Sequence, residues 1–426
     1  MPRTISPTAV GFLLALAVRL VIIGSAPWNF SFDGYQRWAG REHLLIQDWL
    51  PATQSILWLV SSAGGGVLAT RIALSVVAAA AVAAGVSLAR SIGGPAAGWF
   101  FVPMGLFSPF LTWSTVPYQE GTFLLFIFGA MAAALRDRLW LADLLAGAVA
   151  LVRYEGWPFV AVYILWRRDP RALRALWGAG LWLMLKNVLD LTGHASSPTD
   201  FADWNGITDR FSPAMLLESL AKMARQLWMT GGWLVLLLGG IGAVDALRRR
   251  LRGAWVLVLL IAGQLAAVAG WLVGLETAIV RMQVVVGMIS GVFVATLGGH
   301  LWSDQRWRKL LVVAAIGGSM GWSVIGGVLA QRSLRSVRWE VDLATEWRAH
   351  PERKWQLTPR SGLGTRSRHD GCEILQGLTE HVHGQDFWCM PWTDTAPEGL
   401  WEARWGKGGY RISPPQADEA PDTVRP

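Results

Sequence analysis

Residues 10–38 read VGFLLALAVRLVIIGSAPWNFSFDGYQRW. The first half is an apolar run, and a helix needs about 20 mostly apolar residues to cross the hydrocarbon core of a bilayer. One charge, Arg19, sits in its middle. The second half is rich in aromatic residues and brings in a carboxylate at Asp33. The run at 9–26 is expected to stay attached to the chain, because a signal peptide has a shorter apolar stretch and no A-x-A cleavage site follows.

The rest of the chain repeats this pattern. Hydrophobic residues make up 53% of the 426 residues, charged residues 16%, and the mean hydropathy is +0.35. Soluble globular proteins carry roughly a quarter charged residues. Disorder is excluded by the hydrophobicity, and a disulfide scaffold by the presence of only 2 Cys. The net charge of +8 does not imply a nucleic-acid partner. Arg-rich loops lying against anionic lipid head groups account for it. The 26 Trp agree, since Trp gathers at membrane–water interfaces. Further spans are expected at about 67–89, 96–114, 119–135, 139–157, 157–166, 175–193, 226–246, 254–274, 279–299 and 309–330. The fold class is therefore an all-α polytopic membrane protein of about eleven transmembrane helices.

Loop charge sets the orientation. Arg3, Arg90, Arg136, Arg138, Arg167 to Arg174, Arg248 to Arg252 and Arg306 to Lys309 fall in alternate loops. Those loops are expected in the cytoplasm, with the N-terminus. An odd number of spans puts the tail outside. The opposite loops hold Asp33, Asp48, Glu120, Glu155 and Asp190. The expected organisation is a membrane domain at 1–330, with outer loops at 27–66 and 191–225, and an extracytoplasmic region at 331–426 whose end is disordered. Both cysteines, Cys372 and Cys389, lie in that region. An oxidising compartment favours a disulfide between them. The rival, a metal site with His381 and His383, matches no standard zinc module. No metal site is assigned, and no Gly-rich phosphate loop, HExxH or GxSxG is present.

Charges inside or at the edge of membrane helices are costly, so each is a functional candidate. Arg19 requires a carboxylate or an anion as partner, or serves a structural ion pair. Asp33 stands where the first helix ends and is either a helix cap or a reacting group. Tyr35 and Trp38 would hold residues 34–47 on the membrane surface. Glu120 opens a helix, where an acid is favourable. Arg153-Tyr154-Glu155-Gly156-Trp157-Pro158 interrupts an apolar run with two charges, a Gly and a Pro. Lys186, Asp190 and Arg281 lie near outer helix ends, and the two cations have snorkelling as an alternative explanation. Together these predict an outward cavity holding carboxylates and cations. Cations clamp phosphate oxygens, and a carboxylate can deprotonate a hydroxyl or amine.

The order of these elements resembles the GT-C glycosyltransferase superfamily. Arg19, Asp33-Gly34-Tyr35, Asp48-Trp49-Leu50-Pro51, the helix start at Arg71, Pro117 to Glu120, Arg153-Tyr154-Glu155-Gly156 and Arg281 carry the likeness. The resemblance implies transfer of a sugar from a polyprenyl-phosphate donor, with inversion, on the non-cytoplasmic face of what is expected to be a bacterial inner membrane. It implies Asp33 as general base and Arg153, Lys186 and Arg281 as the donor-phosphate clamp. Glu120, Glu155, Asp48 and Tyr35 would bind sugar or acceptor, while Arg19 and Arg71 serve a structural ion pair or an anion. The acceptor is a lipid, a glycan or a protein. Relatives with two adjacent acids in the first loop differ from this chain, where Gly34 follows Asp33. That leaves a divalent metal open, and no other cofactor is implied. Two rival readings are a transporter or flippase for lipid-linked glycans, and a non-catalytic component that presents the tail to a partner.

Overall fold

In the computed structural model, the described residues are 6–30, 50–191, 232–271 and 276–302. To these are added scattered positions such as Arg37, Trp38 and Arg41, and backbone stretches of the tail. The calls on Asp33, Tyr35, Asp48 and Cys372, the span at 309–330 and most of the 191–225 loop lie outside them.

Two compact units emerge. One is Met1–Pro27 with His43–Ser333, and the other is Trp28–Glu42 with Leu334–Pro426. The first unit is helical. Its elements are α1 (Pro7–Ser25), α2 (Pro51–Ser62), α3 (Val67–Gly93), α4 (Pro95–Phe101), a 3-10 helix (Val102–Leu106), α5 (Ser108–Trp113), α6 (Glu120–Leu135), α7 (Leu139–Val149) and α8 (Gly156–Arg167). A second 3-10 helix (Pro170–Leu176) precedes α9 (Trp177–Leu191), α10 (Gly232–Arg248), α11 (Ala254–Trp271) and α12 (Glu276–Trp302). Among the described residues, three helices are long and apolar enough to cross a membrane: Pro7–Ser25, Val67–Gly93 and Gln283–Trp302.

The helix α3 is the centre of the unit and packs against α1, α4, α6 and α12. Its inward positions are small, with Ala78, Ala79, Ala81, Val82, Val86 and Ala89 all buried. Small side chains let helix backbones approach closely, which is how apolar helices gain packing in lipid. Phe101, Phe107, Phe110, Phe123 and Phe128 fill the space this leaves.

Two expected spans are corrected. The run at 96–114 is not one helix but α4, a 3-10 turn and α5. Pro103 and Pro109 lack the N–H that would carry a helix through, and each ring crowds the preceding turn. The run at 139–157 ends at Val149, and the chain turns before α8 begins at Gly156. Here Gly156 is required, because a methyl on it would stand 2.5 Å from the Val149 carbonyl oxygen.

The second unit adds strands to the helical class expected of the membrane domain. β1 (Asn29–Phe30) pairs antiparallel with β2 (Arg335–Ser336). β3 (Trp355–Thr358), β4 (Phe387–Cys389), β5 (Trp401–Gly406) and β6 (Gly409–Ser413) form a four-stranded sheet in the order β4-β3-β5-β6. β3 runs parallel to β4 and β5, and β5 runs antiparallel to β6. The indole-bearing Trp38 supports Arg41, whose guanidinium carbon lies 4.0 Å from the ring centroid.

Candidate functional site

The turn between α7 and α8 carries an ionic trio. Arg153 Nη1 donates to Glu120 Oε1 at 2.6 Å, at the first residue of α6. Arg153 Nη2 and Nε donate to the two oxygens of Glu155 at 2.5 and 3.2 Å. The Glu120 side chain is fully buried, and that of Glu155 is 24% exposed. The ring of Phe123 lies 5.8 Å from the guanidinium carbon and closes one side. The sequence forms the trio for a simple reason. Glu120 sits at a helix N-terminus, where the dipole favours an anion, and Arg153 and Glu155 share a tight turn that brings both to it.

Other candidates converge on the same end of this unit. The Ala52 N–H donates to the Leu151 carbonyl at 3.0 Å, two residues before Arg153. Leu50, Leu151 and Trp182 form a small buried cluster with Trp157 and Leu185 around it. The start of α2 is therefore fixed beside Arg153. Half-buried Lys186 is four residues after Trp182 on α9, on the same helix face. Arg281 lies in the second turn of α12. Along that helix Gly299 lies against Ala97, Gly291 against Met104 and Gly287 against Phe107. Arg281 is six residues further on, about 9 Å of helix rise, so it falls at the Ser114–Glu120 end.

Arg19 and Arg71 have partners the sequence did not suggest. Among the described residues, neither meets a carboxylate. Arg19 donates from Nε to Ser114 Oγ at 3.0 Å, and from Nη1 to the carbonyls of Ala15 and Gly105 at 3.0 and 3.1 Å. Phe110 lies 4.6 Å from its guanidinium carbon. Arg71 donates to the Thr115 carbonyl at 3.0 Å, to Thr115 Oγ1 at 3.4 Å and to the Ala26 carbonyl. The broken segment 102–118 exposes carbonyls that a continuous helix would have used, and these two cations collect them. Hydrogen bonds from a charged donor contribute about 1.5–3 kcal/mol each, which offsets the burial of the guanidinium groups. Ser114 and Thr115, adjacent polar residues before Val116-Pro117, were the available signal and went unread. A third network was also missed. Asp143 is buried, accepts from the Tyr163 hydroxyl at 2.8 Å and lies 3.7 Å from Arg167.

Described this far, the molecule is a helical membrane protein with a polar, charged end built from several helix termini and loops. The sequence matches no family profile and no curated protein. The fold does have a counterpart. It is similar to ArnT from Cupriavidus metallidurans, whose crystal structure holds undecaprenyl phosphate. The likeness covers 92% of both chains, with a TM-score of 0.54 and 15% identity. The same protein in its apo state gives 92%, 0.49 and 14%. At 15% identity the likeness carries the fold alone.

Proposed function

We propose that this chain is a membrane glycosyltransferase that uses a sugar carried on a polyprenyl phosphate. The observation that carries the reading is the fold shared with ArnT over 92% of each chain. In this reading the Arg153 end faces the periplasm, and the Arg-rich loops and the N-terminus face the cytoplasm.

Asp33 takes the proton of the acceptor hydroxyl or amine. The acceptor attacks the anomeric carbon from the side opposite the phosphate, the bond to the phosphate oxygen breaks, and the configuration inverts. The leaving group departs as a phosphate, so cations suffice and no general acid is needed. Lys186 and Arg281 supply that charge. Arg153 is differently placed. Three of its five N–H groups are engaged by Glu120 and Glu155, and the trio sums to one negative charge. It therefore suits the holding of sugar or acceptor polar groups more than the binding of a bare phosphate. Its two remaining N–H groups are the part open to a donor oxygen. Asp48 and Tyr35 complete the acceptor side by the same resemblance. The tail beyond residue 330 stands outside the membrane, where the Cys372–Cys389 disulfide would form.

The test is turnover of a panel of polyprenyl-phosphate sugars by purified protein with lipid, glycan and protein acceptors, with the product anomer read by NMR. An inverted glycoside supports the reading. A donor that binds and is never cleaved transfers support to the flippase.

A further inference from the structure

The end of the helical unit opposite Arg153 is a second charged surface. The chain leaving α6, α8 and α10 turns there through Asp137, Arg168 and Arg250, at φ 58°, 51° and 54°. Helices often close on a left-handed residue, but Gly or Asn is the usual choice, so charge has been preferred here over backbone ease. These turns come together. Arg252 Nη1 is 3.5 Å from Asp137 Oδ1. A methyl on Gly253 would stand 3.0 Å from Met131 Cε and 3.3 Å from Trp166 Cζ2, so the 250–253 turn lies against the ends of α6 and α8. Arg136 extends the surface to α3, donating to Ser91 Oγ and the Ser87 carbonyl at 3.2 Å each. Partial burial, then the nearby charges of Arg90 and Arg138, lower its pKa, which marks how crowded the cations are.

The charge balance favours an anion. Arg136, Arg138, Arg168, Arg250 and Arg252 are all exposed. Among the described residues the acids at this end are engaged: Asp137 with Arg252, Asp169 with Arg167, Asp245 with Arg249 and His300, and Asp143 with Tyr163. Three helix C-termini contribute about half a negative charge each. Five cations against those termini and Asp137 leave a surplus of roughly two to three positive charges. The flank of this surface is apolar and exposed, with Trp140, Trp255 and Leu165 within a turn or so of the cations in sequence. A soluble anion has no use for that flank, but a lipid does.

We propose that the junction of α6, α8 and the 250–253 turn binds an anionic phospholipid, its headgroup phosphate on Arg168, Arg250 and Arg252 and its acyl chains along Trp140, Trp255 and Leu165. Basic pockets between membrane helices are known sites for anionic head groups. The site is independent of the reaction proposed for the other end.

The full chain is reconstituted in phosphatidylcholine nanodiscs with and without phosphatidylglycerol. Thermal unfolding is followed, and lipid retained on the wild-type protein is counted by native mass spectrometry. Phosphatidylglycerol is expected to raise the wild-type Tm by several degrees and to be retained over phosphatidylcholine. The combined variant Arg168→Gln, Arg250→Gln, Arg252→Gln is expected to lose the shift while keeping the wild-type Tm in phosphatidylcholine alone. Arg171→Gln with Arg174→Gln, exposed cations of the neighbouring 3-10 helix, is expected to keep it. An equal shift in the triple variant, equal retention of the two lipids by wild type, or the same shift from inorganic phosphate overturns the proposal. The retention measurement decides the matter even where the triple variant fails to fold.

Discussion

Arg153 is held by two carboxylates, one of them fully buried. Removing the cation therefore leaves two anions facing each other where water has little access. Breaking a buried ion pair from one side costs about 3–5 kcal/mol. Arg153→Met is predicted to lower stability by about 3 kcal/mol, read by denaturation in detergent. Adding Glu120→Gln is predicted to recover part of that loss, since the buried charge is gone. Losses that merely add would contradict this account of the trio. At this scale the sequence was informative where charge interrupts an apolar run, as at Arg153-Tyr154-Glu155. It was uninformative about what a cation bonds to. Arg19 reads as one half of an ion pair, yet its partners are two carbonyls and a hydroxyl. Backbone acceptors are invisible in sequence: one of the two, Ala15, belongs to Arg19's own helix, and the other, Gly105, lies where the chain breaks from α4 into a 3-10 turn.

The break at 101–108 is the element that hydropathy misread. A windowed average over 96–114 is apolar throughout, and the two prolines at 103 and 109 are what the average hides. This break also bears on transport. Broken helices in transporters line a cavity, but here Arg19, Phe107 and Phe110 fill the break and all three are buried. Helix crossings are set by glycine where side chains leave no room. A methyl on Gly178 would stand 1.9 Å from the Gly147 carbonyl oxygen, while a methyl on Gly180 would meet nothing within 4 Å. Gly178→Ala is predicted to destabilise by about 2 kcal/mol or more through overpacking of α7 against α9. Gly180→Ala is predicted to be neutral or stabilising by about 0.5–1 kcal/mol. Equal Tm values for the two variants would rule out a close α7–α9 crossing.

For the whole molecule, the helical character was legible. It follows from the apolar runs, each of which returns the chain to the opposite side. The charged loops and the Arg153–Glu120–Glu155 end separate accordingly. The boundary between α7 and α8 was not legible, because the two form a short hairpin that reads as one helix and a remnant. The strands of the tail went unread too: Gly406-Lys407-Gly408-Gly409 is a hairpin signal between β5 and β6, but the other strands are only two to four residues long. Orientation can be checked on cells. With Cys372 and Cys389 replaced by Ser, a cysteine at exposed Tyr154 is predicted to react with an impermeant thiol reagent from the periplasmic side. One at exposed Arg171 is predicted to stay unlabelled until the membrane is opened. The reverse pattern would invert the protein and remove the donor from its proposed face.

The central claim is that the chain cleaves a polyprenyl-phosphate sugar using Asp33. The most direct test is release of polyprenyl phosphate by purified wild type and Asp33→Asn, with donor and acceptor supplied. The account predicts steady release by wild type and a fall of about a hundredfold or more in the variant, as expected on loss of a general base. Equal release by the two proteins would leave the reaction but remove Asp33 from it. Tight donor binding by wild type with no release at all would contradict the account.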